Sequence, residues 1–232
     1  MQRIILITGS NKGLGQNVGL ELCRHGHIVV FTSRNIKNLN QTKKICKDEK
    51  LNGDFYQLDV GNLTSMNNLH KAIKKKYRKI DTLINNAGIL IDRSDKLISL
   101  QEKKMTQVFQ TNVLGPLRMI QKFSDVLKKS SNGIIVNISS VLGQLTDMSS
   151  GMPSYRISKC ALNAITKISS SELSSFGIKV NSVHPGWVKT DMGGSNASIT
   201  IKEAIPGIVW AATLEKNGPT GKFFFNKKEI SW

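Results

Sequence analysis

The chain has 232 residues, 39% of them hydrophobic and 21% charged, which excludes a disordered, collagenous or coiled-coil protein. Its longest apolar runs, such as Ile4–Ile7, fall far short of the roughly 20 residues of a membrane span. Its start has no signal-peptide pattern, so a cytoplasmic location and no membrane partner are expected. The net charge of +17 raises the question of nucleic acid, but 26 of the 33 basic residues are lysines scattered along the chain. Arginine is the residue suited to bidentate base and phosphate contacts, so nucleic acid is disfavoured as a partner.

Strands are predicted over 3–8, 27–32, 54–59, 81–85, 133–139, 178–183 and 222–225. Most are apolar throughout, as in strands covered on both faces. Helices are predicted between them, over 14–25, 36–50, 63–79, 101–129, 153–175 and 200–215. The densest basic cluster, from Lys71 to Lys79, closes the third helix, where cations are favoured. In the fourth, Met105, Val108, Phe109, Asn112, Val113, Leu117, Ile120 and Leu127 keep a three-and-four spacing. Strands alternating with helices predict an α/β Rossmann fold: a three-layer, doubly wound parallel sheet of about seven strands with helices on both faces. No linker, repeat or low-complexity tract divides it, so one domain over 1–232 is expected. The ligand crevice of such a sheet lies at the C-terminal ends of the strands.

The first predicted strand runs into Thr8-Gly9-Ser10-Asn11-Lys12-Gly13-Leu14-Gly15. Glycines there permit a tight turn and close backbone approach, and the free N–H groups of the following helix favour a pyrophosphate. The second strand ends in Thr32-Ser33-Arg34, without the carboxylate that holds the ribose 2′-OH in NAD-preferring sites. Arg34 and Lys12 are instead placed to meet a 2′-phosphate, which favours NADP(H) over NAD(H). The competing reading of Arg34 is a plain surface residue.

Tyr155 and Lys159 stand at i and i+4 on a predicted helix, so they share a face. A phenol with an ordinary pKa near 10 is a poor proton carrier at neutral pH, and a neighbouring ammonium favours the phenolate. Three tyrosines and 26 lysines produce such a pair by chance in roughly a third of chains this long, so its weight comes from the company of the glycine loop. Upstream, a predicted strand ends in Ser139-Ser140, where a hydroxyl can polarise a substrate oxygen. Cys23, Cys46 and Cys160 form no C-x-x-C, so neither a disulfide framework nor a bound metal is expected.

Taken in order, the glycine loop, Asp59-Val60, Asn85-Asn86-Ala87-Gly88, Asn112, Ser139-Ser140, Tyr155-x-x-x-Lys159 and Pro185-Gly186 with Thr190 resemble a short-chain dehydrogenase/reductase of the one-domain type. The resemblance implies that Gly9, Gly13 and Gly15 cradle the pyrophosphate. It puts Asp59 and Val60 at the adenine, and Asn86, Ala87 and Gly88 along the adenosine ribose. It makes Tyr155 the general acid/base and has Lys159 hold the nicotinamide ribose. Asn112 would hold a water linking Lys159 to solvent, and Ser140, with Ser139 as the other register, would be the serine. Pro185, Gly186, Val188 and Thr190 would meet the nicotinamide. Asp59 and Asn86 also read as turn residues, and Asn112 as a satisfied core amide.

Asn11-Lys12, Asp191-Met192-Gly193-Gly194 and the ending from Pro219 to Trp232 resemble the carbonyl-reductase-like branch, which includes relatives named as cell-signalling factors. That implies a small-molecule carbonyl substrate, with a non-enzymatic dinucleotide-binding signalling protein as the alternative. Monomeric carbonyl reductases carry a long insertion before the tyrosine. Its absence between Ser140 and Tyr155 points to a homodimer or homotetramer. The short 191–200 segment points to an open pocket, with Val141, Leu142, Trp187 and Met192 as candidate walls.

Overall fold

The computed structural model describes all residues, Met1–Trp232. Its strands are β1 (Ile4–Ile7), β2 (Ile28–Ser33), β3 (Gly53–Gln57), β4 (Thr82–Asn85), β5 (Ile134–Ile138), β6 (Lys179–His184), β7 (Phe223–Phe225) and β8 (Lys228–Ile230). They form one sheet in the order β3-β2-β1-β4-β5-β6-β7-β8. Every neighbouring pair is parallel except β7–β8. The helices are α1 (Gly13–Arg24), α2 (Asn40–Asp48), α3 (Leu63–Lys76), α4 (Glu102–Phe109), α5 (Gly115–Leu127), α6 (Pro153–Glu172) and α7 (Ile201–Ala212).

Alternation along each strand supplies both faces of the sheet. Ile5, Ile7, Val29, Phe31, Val136 and Ile138 point into a core beneath α1 and α7. Leu6, Val30, Leu83, Ile135 and Val180 point into a second core under α3 and α5. All but Ile138 among these strand residues are essentially fully buried, which explains strands that read as apolar without interruption.

Two features depart from the sequence reading. The sheet has eight strands, not seven. The eighth is a three-residue edge strand, Lys228–Ile230, returned by a hairpin in which Asn226 and Lys227 take left-handed φ of 45° and 67°. Its two leading charges and a turn without glycine hide it from pattern reading. The predicted helix 101–129 is also not continuous: a π turn at Gln110–Leu114 separates α4 from α5. Pro116 has no N–H to return to the carbonyl of Asn112, its partner four residues back, so the α-helical ladder breaks there.

The chain moves outward from β1 through β2 to β3, then starts again beside β1 with β4. The switch point therefore lies between β1 and β4, and the loops leaving these two strands open into a crevice.

Candidate active site

At the switch point, Thr8 leaves β1 and the chain turns through Gly9 and Gly13, both with left-handed φ (62° and 57°), into α1. The first turn of α1 has no side-chain cap, so its N–H groups stay free for an anion. Asn86, leaving β4, fastens the loop. Its Nδ2 donates to the carbonyls of Thr8 (3.0 Å) and Gly9 (2.8 Å), while the backbone N–H groups of Asn86 and Ala87 donate to Thr8 Oγ1. A Cβ at position 15 would lie 2.7 Å from the Gly9 carbonyl and closer still to Asn86 Nδ2. Gly15 is therefore required by the clamp. On the other flank, Ser10 Oγ accepts from Thr32 N at 2.8 Å and donates to the Ile7 carbonyl at 3.1 Å. This latch to β2 went unread in the sequence.

The remaining residues expected on this side lie around the same mouth. Lys12 is exposed and pairs with Asp191 at 2.6 Å, and Asn11 and Leu14 flank it at the start of α1, Leu14 packing against the core. Arg34 is exposed just beyond β2 with no acid in ion-pair reach, and its backbone carbonyl accepts from Gln57. Asp59 Oδ1 closes a turn by accepting from Gly61 N at 2.9 Å, so the turn reading holds for that oxygen. Val60 is buried against Gly115 at the head of α5.

The other half of the crevice is built on α6. Lys159 is 5% exposed, and its Nζ lies 5.5 Å from the Tyr155 ring centroid. The sequence reading expects the ammonium to lower the phenol. Here burial prevails and pushes Tyr155 up to about 12, with the Ser140 hydroxyl and the Arg93 guanidinium pulling it back. Burial also pushes Lys159 down to about 8, and its Nζ donates to the Ile138 carbonyl at 2.8 Å. The two serines separate cleanly. Ser139 Oγ donates inward to Asn163 Oδ1 at 2.6 Å. Ser140 shares the crevice with the phenol while its Oγ accepts from Leu142 N at 3.2 Å.

Asn112, in the π turn, is fully buried. Its Oδ1 accepts from Ile89 N (2.8 Å), and its Nδ2 donates to the Ile89 carbonyl (2.9 Å) and Ser158 Oγ (3.1 Å). The amide thus braces the loop after β4 against α6, and its side chain is committed to protein partners. A Cβ on Gly88 would sit 3.5 Å from Asn112 Oδ1 and 3.8 Å from Lys159 Nζ, so these three residues meet at one point. Pro185, Gly186, Val188 and Thr190 follow β6, and of these Thr190 reaches the glycine loop, its Cγ2 3.7 Å from where a Gly13 Cβ would stand, while Gly186 faces Ile199 and Phe225. Val188 is buried and bridged to Ile199.

Sequence reasoning missed Asp92. It is 1% exposed and caps α6 from across the crevice. Its Oδ2 accepts from Ser154 N and Ser154 Oγ, both at 2.6 Å, and from Tyr155 N at 3.3 Å. The local cap position holds Met152, left-handed and without a side-chain bond, so no signal next to the helix announces this cap. The adjacent Arg93 donates through Nη2 to the Met192 carbonyl.

A glycine turn at the switch point, with a half-buried phenol and a buried amine on the next wall, defines a class: a doubly wound α/β oxidoreductase. Comparison with known proteins makes this specific. Residues 3–200 match the family model described as short chain dehydrogenase, and the chain belongs to the short-chain dehydrogenase/reductase family. It is similar to the NADPH-bound carbonyl reductase from chicken fatty liver, with 30% identity and a TM-score of 0.90 over 100% of this chain and 99% of that one. It is equally similar to the carbonyl reductase Sniffer of D. melanogaster, at 30% identity and 0.91 over the whole of both chains. The (−)-isopiperitenone reductase of Mentha piperita is 29% identical, covering 100% of this chain and 98% of that one. No helix is long and apolar enough to cross a membrane.

Proposed function

We propose that this protein reduces an aldehyde or ketone to the alcohol, reversibly, with NADPH as reductant and Tyr155 as the proton donor. The observation that carries the reading is the convergence of Tyr155, Lys159 and Ser140 on one wall of the crevice, opposite the clamped glycine loop. Carbonyl reduction needs a proton on the oxygen, and a phenol pushed up to about 12 stays protonated through the neutral range. Ser140 turns its hydroxyl toward the phenol, where it would orient the same substrate oxygen. Lys159, down at about 8, is a cation over most of that range and holds charge where the phenolate forms.

The residues fit a nicotinamide dinucleotide. Uncapped N–H groups of α1, left-handed Gly9 and Gly13, and a Gly15 with no room for a Cβ make the cradle for its pyrophosphate. Gly88, Lys159 and the Pro185-to-Thr190 segment would hold its other end, where the bound group supplies hydride. The uncompensated Arg34 beyond β2 and the lack of a carboxylate there support NADP(H) over NAD(H). Asp59 keeps its second carboxylate oxygen for the adenine side. Ile157 and Ile168, exposed eleven residues apart on the outer face of α6, supply an apolar stripe for a second copy of the chain. Light scattering on the purified protein tests that assembly.

The deciding experiment is turnover of a broad aldehyde and ketone panel with NADPH and NADH. Consumption of NADPH with a catalytic efficiency above that of NADH is expected, and Arg34→Glu should narrow or invert the ratio. Nucleotide binding without turnover of any carbonyl would point to the non-enzymatic reading instead.

A further inference from the structure

We propose that the carbonyl substrate carries an anionic group, such as a carboxylate, and that Arg93 receives it at the mouth of the crevice; this rests on the reductase reading above. Arg93 directly follows Asp92, whose carboxylate is 3.3 Å from Tyr155 N. The guanidinium therefore stands at the end of α6 that carries the phenol. Its Nη2 donates to the Met192 carbonyl on the loop after β6, so the exposed side chain spans the opening between the two loops that flank the reactive groups.

Its charge is not neutralised there. The acids of these two loops point elsewhere: Asp92 is buried with its Oδ2 on the head of α6, Asp95 pairs with Lys104 at 2.7 Å, and Asp191 with Lys12 at 2.6 Å. No acid lies within ion-pair distance of Arg93. A guanidinium has five N–H donors in a planar fork that matches a carboxylate, and one backbone carbonyl leaves most of them free. The positive field at this spot also reaches the phenol, which it pulls down. On the loop that Arg93 reaches, the Trp187 indole is held by its Nε1 on the Gly193 carbonyl, next to Met192, at 2.9 Å and is 54% exposed. That ring offers an apolar face for the body of a substrate whose charged end lies on Arg93.

The test compares 4-formylbenzoate with its neutral isostere, methyl 4-formylbenzoate, under NADPH. We expect kcat/KM for the acid to exceed that for the ester by about ten-fold at low salt, and the gap to close as salt is raised. Arg93→Met should cost the acid about ten-fold more than the ester, with Arg93→Lys keeping part of the preference. Benzoate should inhibit the unmodified enzyme competitively against the aldehyde, a measurement that needs no variant. Equal efficiencies for acid and ester, or equal losses for both in Arg93→Met, overturn the inference alone. Absence of turnover for both, and for the wider carbonyl panel with either nicotinamide, overturns the reductase reading and this inference with it.

Discussion

At the glycine-loop end of the crevice the groups on offer are backbone N–H and carbonyl groups, held in place by Asn86, Thr8 and Ser10. At the α6 end they are side chains, Tyr155 and Lys159, whose pKa values are shifted chiefly by burial. The first device carries no titrating group and is defeated mainly by a bulky residue in the wrong place. The second responds to pH and to residues far away in the chain, such as Asp92. A single crevice therefore has one wall whose tuning is steric and one whose tuning is electrostatic.

Substitutions can pull the two walls apart. The largest effect is expected from Tyr155→Phe, which should cut carbonyl reduction by about a thousand-fold while a fluorescence titration finds NADPH affinity unchanged. Equal loss of both would mean the walls are not separable. Next is Lys159. Its amine falls from 10.5 to about 8 on folding, so the folded chain carries a buried charge that disfavours folding below pH 8. That penalty fades between pH 8 and 10.5, where the folded state has shed a proton the unfolded state keeps. Lys159→Met should therefore be more stable to unfolding than the unmodified protein at pH 7, by up to about 3 kcal/mol, while losing NADPH affinity. The stability gap should shrink as the pH is raised toward 10.5. A gap independent of pH would exclude the titration of Lys159 as its source.

Gly15→Ala should act on the opposite wall. The added Cβ displaces the Asn86 clamp, costing about 1–3 kcal/mol in denaturant unfolding and weakening NADPH binding, with kcat at saturating nucleotide the less affected quantity. Smallest is the link between walls: Asp92→Ala removes the cap from the head of α6, with about 1 kcal/mol of stability and about a ten-fold fall in kcat. Asp92→Asn keeps an accepting oxygen and should recover most of that rate. If it recovers stability without rate, the charge rather than the cap is what Tyr155 needs.

The steric wall was the legible one. Glycines at 9, 13 and 15 after an apolar run, and Asn86 after another, encode their turn within a few residues, because backbone conformation is a local matter. Tyr155 and Lys159 were legible by their i and i+4 spacing. Their ionisation was not, since the phenol is raised by its surroundings and not lowered by its neighbour. The separation of Ser139 from Ser140 depends on Asn163, and the cap on α6 on Asp92, 62 residues before Ser154. Contacts at that separation leave no local pattern. The π turn had a signal, Pro116 four residues after Asn112, which the regular apolar spacing of 101–129 concealed. The last strand was missed because an edge needs neither an apolar face nor a glycine turn.

Two exposed straps cross the crevice: Lys12 to Asp191, with side chains 69% and 80% exposed, and Arg93 to the Met192 carbonyl. Both end on the same short stretch after Thr190. A fastening so open to water is screened by the solvent and holds only weakly. The third side of the entrance is thus buttoned and not welded. Ions of the medium compete for each button, so raising the salt is expected to loosen the entrance while leaving the sheet beneath unchanged.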